Sequence, residues 1–319
     1  MMTTANDWLC LHPHAMTENQ TTLSLDNRGL AYGDGFFTTM GVIDGEIQWA
    51  EYHVQRLHTH AQALQLQLPS TATWLSIHTH AKQLQQGMIK VIITRTKQAT
   101  RGYGFTPDRS GHGCEIWLKA TAMTMPMDTM TSLSLPHTQP ICCQPPVTAV
   151  CLQSQLACLP PTLAGLKSLN RLDNVLASGE LHSLNAKQID AIPNNLYGEG
   201  LLRDMSGNWI EGTMSNVFYQ LSEVKDSTTA KQGSTIRYET NYLSKGQWYT
   251  PPMTQSGVAG VMRQVIIDGL ANSNNPVIIR PLATEDLAHV SQLFFCNAVR
   301  GVMPVSALSL LDGQVVGFY

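Results

Sequence analysis

The sequence is short of charge. Only 13% of its 319 residues are Asp, Glu, Lys or Arg, and 20 basic against 23 acidic residues leave a net charge of −3. No basic stripe is visible, which argues against a nucleic-acid partner. No apolar run reaches the roughly 18 residues of a membrane-spanning helix, so no membrane association is expected. The first residues, MMTTANDWLCLHPHAM, lack the basic and apolar segments of a secretory leader, and a cytoplasmic location is expected. CxxC spacing is also missing. The seven cysteines are an odd number and read as reduced thiols, most of them small core residues. There is no GxxxxGK[ST], HExxH or GxSxG, so the phosphate-loop, zinc-hydrolase and serine-elbow chemistries find no support.

What is present suits a sizeable core. Hydrophobic residues make up 43% of the chain, enough for two domains at this length. Residues 21–50 read as short strands and turns, where the tetrapeptide IDGE marks a hairpin between apolar runs. EYHVQRLHTHAQALQLQL reads as a helix, because Val54, Leu57, Ala61, Leu64 and Leu68 recur every three or four residues. A second helix is expected over 71–86, with Trp74, Ile77, Ala81 and Leu84 on one face. MIKVIITRT and CEIWLKATAM are strand-like by their β-branched content. These features predict a small α+β domain over 1–126, a proline-rich linker over 127–139 and a large domain over 140–319. In the large domain VTAVCLQ, WIEGTMSNVFYQL, PVIIRPLA and QLFFCNAV read as strands. Residues 168–183 read as a helix with Leu169, Leu172, Val175 and Leu176 inward. GVAGVMRQVIIDGLANS opens on two glycines and continues as a helix. Residues 223–247 are polar and charge-mixed, the signature of a surface loop.

Three His-x-His pairs occur, at 12/14, 58/60 and 78/80. Two lie in expected helices, where residues two apart do not face each other, and solvated histidines are preferred over a metal site. Other residues have fewer bland explanations. Glycines ahead of a helix leave backbone N–H groups free to bind an anion. Arg56 is either a solvated helix charge or a bidentate phosphate contact. Glu211 sits among apolar and small residues, where a carboxylate is costly to bury without a cation. Lys167, in LAGLKSLNRLDNVLASGEL, is either a surface lysine or a partly buried amine. A lysine, an anion clamp and an isolated carboxylate are the parts that pyridoxal phosphate chemistry requires.

On these residues the chain resembles the fold type IV pyridoxal phosphate enzymes. That family includes branched-chain aminotransferases, D-amino acid aminotransferases and 4-amino-4-deoxychorismate lyase. RGLAYGDGFFTTMGVIDGEIQWAEYHVQRL resembles the family's first signature, which ends at the phosphate-binding arginine and so implies Arg56. GLKSLNRLDNVLA resembles the segment around the cofactor-linked lysine and implies Lys167. IEGTMSNVF implies Glu211 as the partner of the pyridine nitrogen. GVAGVMRQ and FFCNAVRGVMPV resemble the two phosphate turns, which implies Val261 and Met262 in the first and Asn297 and Ala298 in the second. The five segments appear in the family's order over roughly residues 22–310.

The resemblance implies an α+β fold with a small N-terminal domain and a larger one built on a β-barrel-like core with helices. It also implies pyridoxal 5′-phosphate as cofactor, a small-molecule substrate and a homodimer. CNAVRGVMPV and the TRGYGF loop are most similar to the lyase. They suggest conversion of 4-amino-4-deoxychorismate to 4-aminobenzoate and pyruvate, a step toward folate, with Lys167 as the catalytic base. Arg101 then becomes a candidate for a substrate carboxylate, with Thr38 and Arg171 as further candidates to line the substrate pocket. A branched-chain or D-amino acid aminotransferase is the alternative, and a non-catalytic cofactor carrier a third reading that the intact lysine and glutamate disfavour.

Overall fold

A computed structural model describes residues 8–12, 23–68, 71–107, 113–124, 131–136, 138–191, 196–222 and 241–318. They fall into two units, Met1–Met125 with Leu166–Asn170, and Pro126–Gly165 with Arg171–Tyr319.

The first unit contains β1 (Trp8–His12), α1 (Arg28–Tyr32), β2 (Gly35–Ile43), β3 (Glu46–Ile47), α2 (Ala50–Ala63), α3 (Thr71–Leu84), β4 (Gly87–Arg95) and β5 (Cys114–Ala122). Its antiparallel sheet runs in the order β1-β5-β4-β2-β3. The expected IDGE hairpin joins β2 to β3. Asp44 and Gly45 both take positive φ, 52° and 75°, the backbone twist that a two-residue hairpin turn needs. Strand alternation buries Ile89, Val91 and Ile93 of β4 beside Phe36 and Met40 of β2, and Leu57, Ala61, Ile77 and Ala81 of the helices close this core.

The periods of α2 and α3 hold over Ala50–Ala63 and Thr71–Leu84, but α2 ends before the expected Leu64 and Leu68, where Gln65 turns to positive φ, and one expectation about its histidines also fails. His58 is exposed, whereas His60 is 5% exposed and belongs to the inward face with His53 and Arg56. A hydrophobic count cannot register polar side chains that a helix buries against specific partners.

The second unit comprises β6 (Thr131–Leu133), β7 (Ile141–Cys143), β8 (Val147–Leu156), α4 (Leu172–Ala191), β9 (Tyr197–Asp204), β10 (Trp209–Gly212), β11 (Asn216–Leu221), β12 (Tyr249–Thr250), α5 (Val261–Leu270), β13 (Ile278–Ile279), β14 (Val290–Asn297), β15 (Gly301–Ser309) and β16 (Val315–Gly317). Six strands close on themselves. β8 pairs β9, β9 pairs β10, β10 pairs β11, β11 pairs β14, β14 pairs β15, and β15 returns to β8. This ring is the barrel-like core, and closure removes the open edges a flat sheet would expose. Ala149, Cys151, Leu201, Trp209, Val217, Phe295 and Met303 fill one side. Val150, Leu152, Leu202 and Ile210 point the other way, toward Ala177, Leu181 and Leu184 of α4.

Helix α4 corrects a second expectation. It starts at Leu172, and Leu172, Val175 and Leu176 are 77%, 61% and 68% exposed rather than inward. The helix carries two apolar stripes, and a carboxylate chooses between them. Glu180 accepts the N–H groups of Gln153 and Ser154 at 2.7 and 2.8 Å and the Ser154 hydroxyl at 2.6 Å. That docking turns Ala177 and its neighbours inward. Of the polar insertion, residues 223–240 lie outside the described residues. Its last part is not purely surface, because Tyr242 and Leu243 are buried and the Tyr242 ring meets Trp248 at 5.5 Å.

Candidate functional site

In the first unit, Lys167 is held by its backbone. Its carbonyl accepts the Phe37 N–H at 3.0 Å, the Leu169 N–H reaches Gly35 O at 3.0 Å, and Ser168 bridges Phe36. Residues 167–169 therefore lie as a short extra strand along β2. The Lys167 N–H goes to His60 Nε2 at 2.9 Å. The side chain runs over Phe37, with Nζ 4.6 Å from the ring centre, and Lys90 Nζ lies 4.8 Å from the same ring. Burial, then the nearby Lys119 charge, lowers the Lys90 pKa.

Arg56 is 8% exposed on α2, and burial pushes its pKa down to about 10. Three residues earlier, His53 is fully buried, and its Nδ1 lies 2.7 Å from Thr38 Oγ1. Burial and then the Arg56 charge push His53 down to about 3, so its ring is neutral. Its Nε2 has no hydrogen-bond partner. The Thr38 hydroxyl is thus engaged within the unit. Arg101 is exposed on a loop whose shape Arg28 holds, donating to Gly102 O and Tyr103 O at 3.1 and 3.0 Å. Arg28 and Arg95 share Asp34 Oδ2 at 2.8 and 2.9 Å. These groups, with Tyr32, Tyr103 and Phe105, line a pocket of about 290 Å³.

In the second unit, Glu211 is 3% exposed at the end of β10. Its Oε2 accepts the Val258 N–H at 2.8 Å and the Asn216 amide at 3.4 Å, and its Oε1 faces the Asn174 amide at 3.5 Å. Asn216 also donates to Val258 O at 2.8 Å. The turn after Glu211 is held by a second buried acid. Glu199 accepts the N–H groups of Gly200 and Thr213 and the hydroxyls of Thr213 and Ser215. Arg171, just before α4, donates to Asn174 Oδ1 at 3.5 Å.

Helix α5 begins inside the unit. Val261 and Met262 are 5% and 2% exposed, and the N-cap, Gly260, offers no side-chain cap. A buried helix start with uncapped N–H groups is suited to an anion. The approach is close, since a Cβ at Gly260 would meet Asn216 Oδ1 at 1.8 Å and one at Gly257 would meet Ile210 Cγ2 at 2.7 Å. Asn297 closes the turn after β14, where its Oδ1 accepts the Val299 and Arg300 N–H groups at 3.1 and 2.8 Å. Gly301 follows at φ 75°, where a Cβ would meet Cys142 O.

The first unit carries an amine at Lys167 and a buried guanidinium at Arg56, and the second an uncapped helix start and a buried carboxylate, each a group type that pyridoxal phosphate chemistry uses. Sequence reasoning missed His53, His60, Asn174, Asn216 and Glu199. The two histidines could have been found from their spacing to Arg56, three residues before and four after. The other three become visible only through the strand and helix contacts that bring them to Glu211 and its turn.

An aminodeoxychorismate lyase of Vibrio harveyi is 25% identical over 93% of this chain and 91% of its own length. The crystal structure of 4-amino-4-deoxychorismate lyase from Pseudomonas aeruginosa aligns with a TM-score of 0.68 at 27% identity, covering 93% of this chain and 90% of the other. A pyridoxal phosphate-bound hypothetical aminotransferase of Mycobacterium tuberculosis shares the fold, with a TM-score of 0.65 at 16% identity over 98% of this chain and 93% of its own. The model of one family, amino-transferase class IV, matches residues 35–308. The chain belongs to the class IV aminotransferases, pyridoxal phosphate-dependent enzymes of fold type IV.

Proposed function

We propose that the protein is a 4-amino-4-deoxychorismate lyase that forms 4-aminobenzoate and pyruvate, a reaction on the route to folate. The observation that carries this reading is the likeness to two lyases, each over 93% of the chain. Lys167, Arg56 and Glu211 stand in the expected motifs.

Bound pyridoxal phosphate supplies an aldehyde that captures amines and a protonated ring that takes up an electron pair. Lys167 provides the resting amine. With the cofactor bound, Lys167 Nζ would act as general base and remove the proton from the substrate ring carbon next to the amine nitrogen. Glu211 keeps the proton on the cofactor's ring nitrogen, and its bonds to Val258 and Asn216 orient it for that task. Arg56, the Val261 and Met262 N–H groups at the start of α5, and the Asn297–Ala298 turn are the groups that would hold the phosphate. The electron pair left by that C–H bond would expel the side chain as the enolate of pyruvate, the proton on Lys167 would return to that enolate, and the ring would become aromatic, which drives the reaction forward. Arg101 is assigned to a substrate carboxylate, with Arg171 as a supporting position, whereas Thr38, buried and bound to His53, supports the site from behind. The exposed stripe Leu172, Val175 and Leu176 on α4 supports a homodimer, and the free thiols suit the cytoplasm.

Two measurements test the reading. Borohydride treatment of the cofactor-loaded protein should attach the pyridoxyl group to the peptide containing Lys167, and Lys167→Ala should abolish the imine absorbance. Incubation with 4-amino-4-deoxychorismate should release 4-aminobenzoate and pyruvate in equal amounts. The rival reading is an amino acid aminotransferase, in keeping with the family. Accumulation of pyridoxamine phosphate on the turnover timescale with an amino acid donor, and no 4-aminobenzoate, would establish it instead.

A further inference from the structure

Helix α2 presents three polar side chains to the interior, His53, Arg56 and His60. Their spacing of three and four residues places them along one stripe. His53 is engaged with Thr38, and Arg56 is the anion clamp. His60 is the member that reaches residue 167. The short strand at 167–169 has two rungs on β2, Phe37 N–H to Lys167 O and Leu169 N–H to Gly35 O. In a continued antiparallel ladder the Lys167 N–H would form the next rung. It leaves the ladder and goes to His60 Nε2 at 2.9 Å. An imidazole nitrogen accepts a hydrogen bond only when it carries no proton, so this contact requires a neutral ring with its hydrogen on Nδ1. The ring is 5% exposed and packs edge-on against Phe36 at 5.5 Å, which keeps the acceptor aimed.

The geometry points to His60 as the positioning residue of Lys167. It pins the backbone of the amine-bearing residue to the helix that carries Arg56 one turn earlier. Four residues along an α-helix span about 6 Å, so one rigid element sets both the guanidinium and the start of the lysine side chain. This role rests on reading Lys167 as the cofactor lysine, although the backbone contact exists without any cofactor.

The test therefore begins with the cofactor-free protein. His60→Leu should speed hydrogen exchange of the Lys167 amide by at least about tenfold, and His60→Gln, whose side-chain oxygen can accept, should restore protection. Unchanged exchange in a folded His60→Leu protein overturns the anchor. Should that variant not fold, nitrogen chemical shifts of the wild-type His60 ring decide the matter. The Nδ1–H tautomer is expected, and an Nε2–H tautomer overturns the proposal because that nitrogen would then be a donor. With cofactor added, His60→Leu should weaken pyridoxal phosphate affinity about tenfold, the effect of losing roughly one hydrogen bond, with recovery in His60→Gln. Unchanged affinity once the amide has lost protection overturns the positioning role. A wild-type protein that binds no pyridoxal phosphate, while its Lys167 amide stays protected by His60, refutes the cofactor reading of Lys167 separately.

Discussion

The Glu211 carboxylate accepts the backbone N–H of Val258 at 2.8 Å, tying the end of β10 to the loop that opens α5. One acid thus serves two purposes. It braces the turn leading to the helix start, and in the proposed function it would also face the cofactor's ring nitrogen. Glu211→Gln keeps the shape but removes the charge. A hydrogen bond to a charged group is worth about 1.5–3 kcal/mol, so turnover of the amine substrate should fall roughly ten- to hundredfold. Thermal stability should change much less. Steady-state assays of the purified variant check this, and undiminished kcat would remove Glu211 from the mechanism.

Gly260 is a second sharp test. A Cβ there would overlap Asn216 Oδ1 at 1.8 Å, and Asn216 links Glu211 to Val258 O. Gly260→Ala should cost about 1–3 kcal/mol by overpacking and weaken phosphate-dependent cofactor binding. Gly179, on the exposed side of α4, is the control, since a Cβ there meets nothing within 4 Å. Gly179→Ala should be neutral or stabilising, by up to about 1 kcal/mol. Urea unfolding of the two variants gives the comparison, and equal midpoints would contradict the crowding described at Gly260.

Acid should weaken the first unit through His53. Its pKa falls from 6.5 to about 3 on folding, through burial and then the Arg56 charge. The unfolded chain therefore binds the extra proton first, and the native state is penalised as the pH drops. The contribution of the neutral ring is complete above about pH 6.5 and is lost progressively toward pH 3, at roughly 1.4 kcal/mol per pH unit from this one group. His53→Gln cannot titrate, so its unfolding free energy should fall less steeply between pH 6 and pH 4. Parallel slopes for the two proteins would show that His53 is not the group responsible.

Much of this architecture was legible because it rests on local rules. The hairpin at Asp44–Gly45, the helical periods of α2 and α3, and the β-branched runs of β4 and β5 each follow from a short window of sequence. The proposed cofactor residues rest on another kind of signal, motifs that occur in a fixed order. Helix α4 shows where such rules stop. Its two apolar stripes are equivalent to any count of hydrophobic spacing, and the bonds from Glu180 to residues 153 and 154 choose the buried one. His60 shows the same limit from the polar side, because burial of an imidazole depends on an N–H supplied by residue 167.

By itself, then, the amino-acid order determined which elements form, the family they belong to and the residue types its chemistry calls on. Those properties depend on neighbours a few positions apart or on motifs read singly. Only the tertiary structure decided the rotation of α4, which strands close the barrel-like ring from β8 to β15, the Glu199 knot behind Glu211 and the seat of Lys167 on β2 and α2. The physical reason is that a buried polar group must find its partner, and the partner here lies 107 residues away for the His60 contact and 47 for the Glu211 contact.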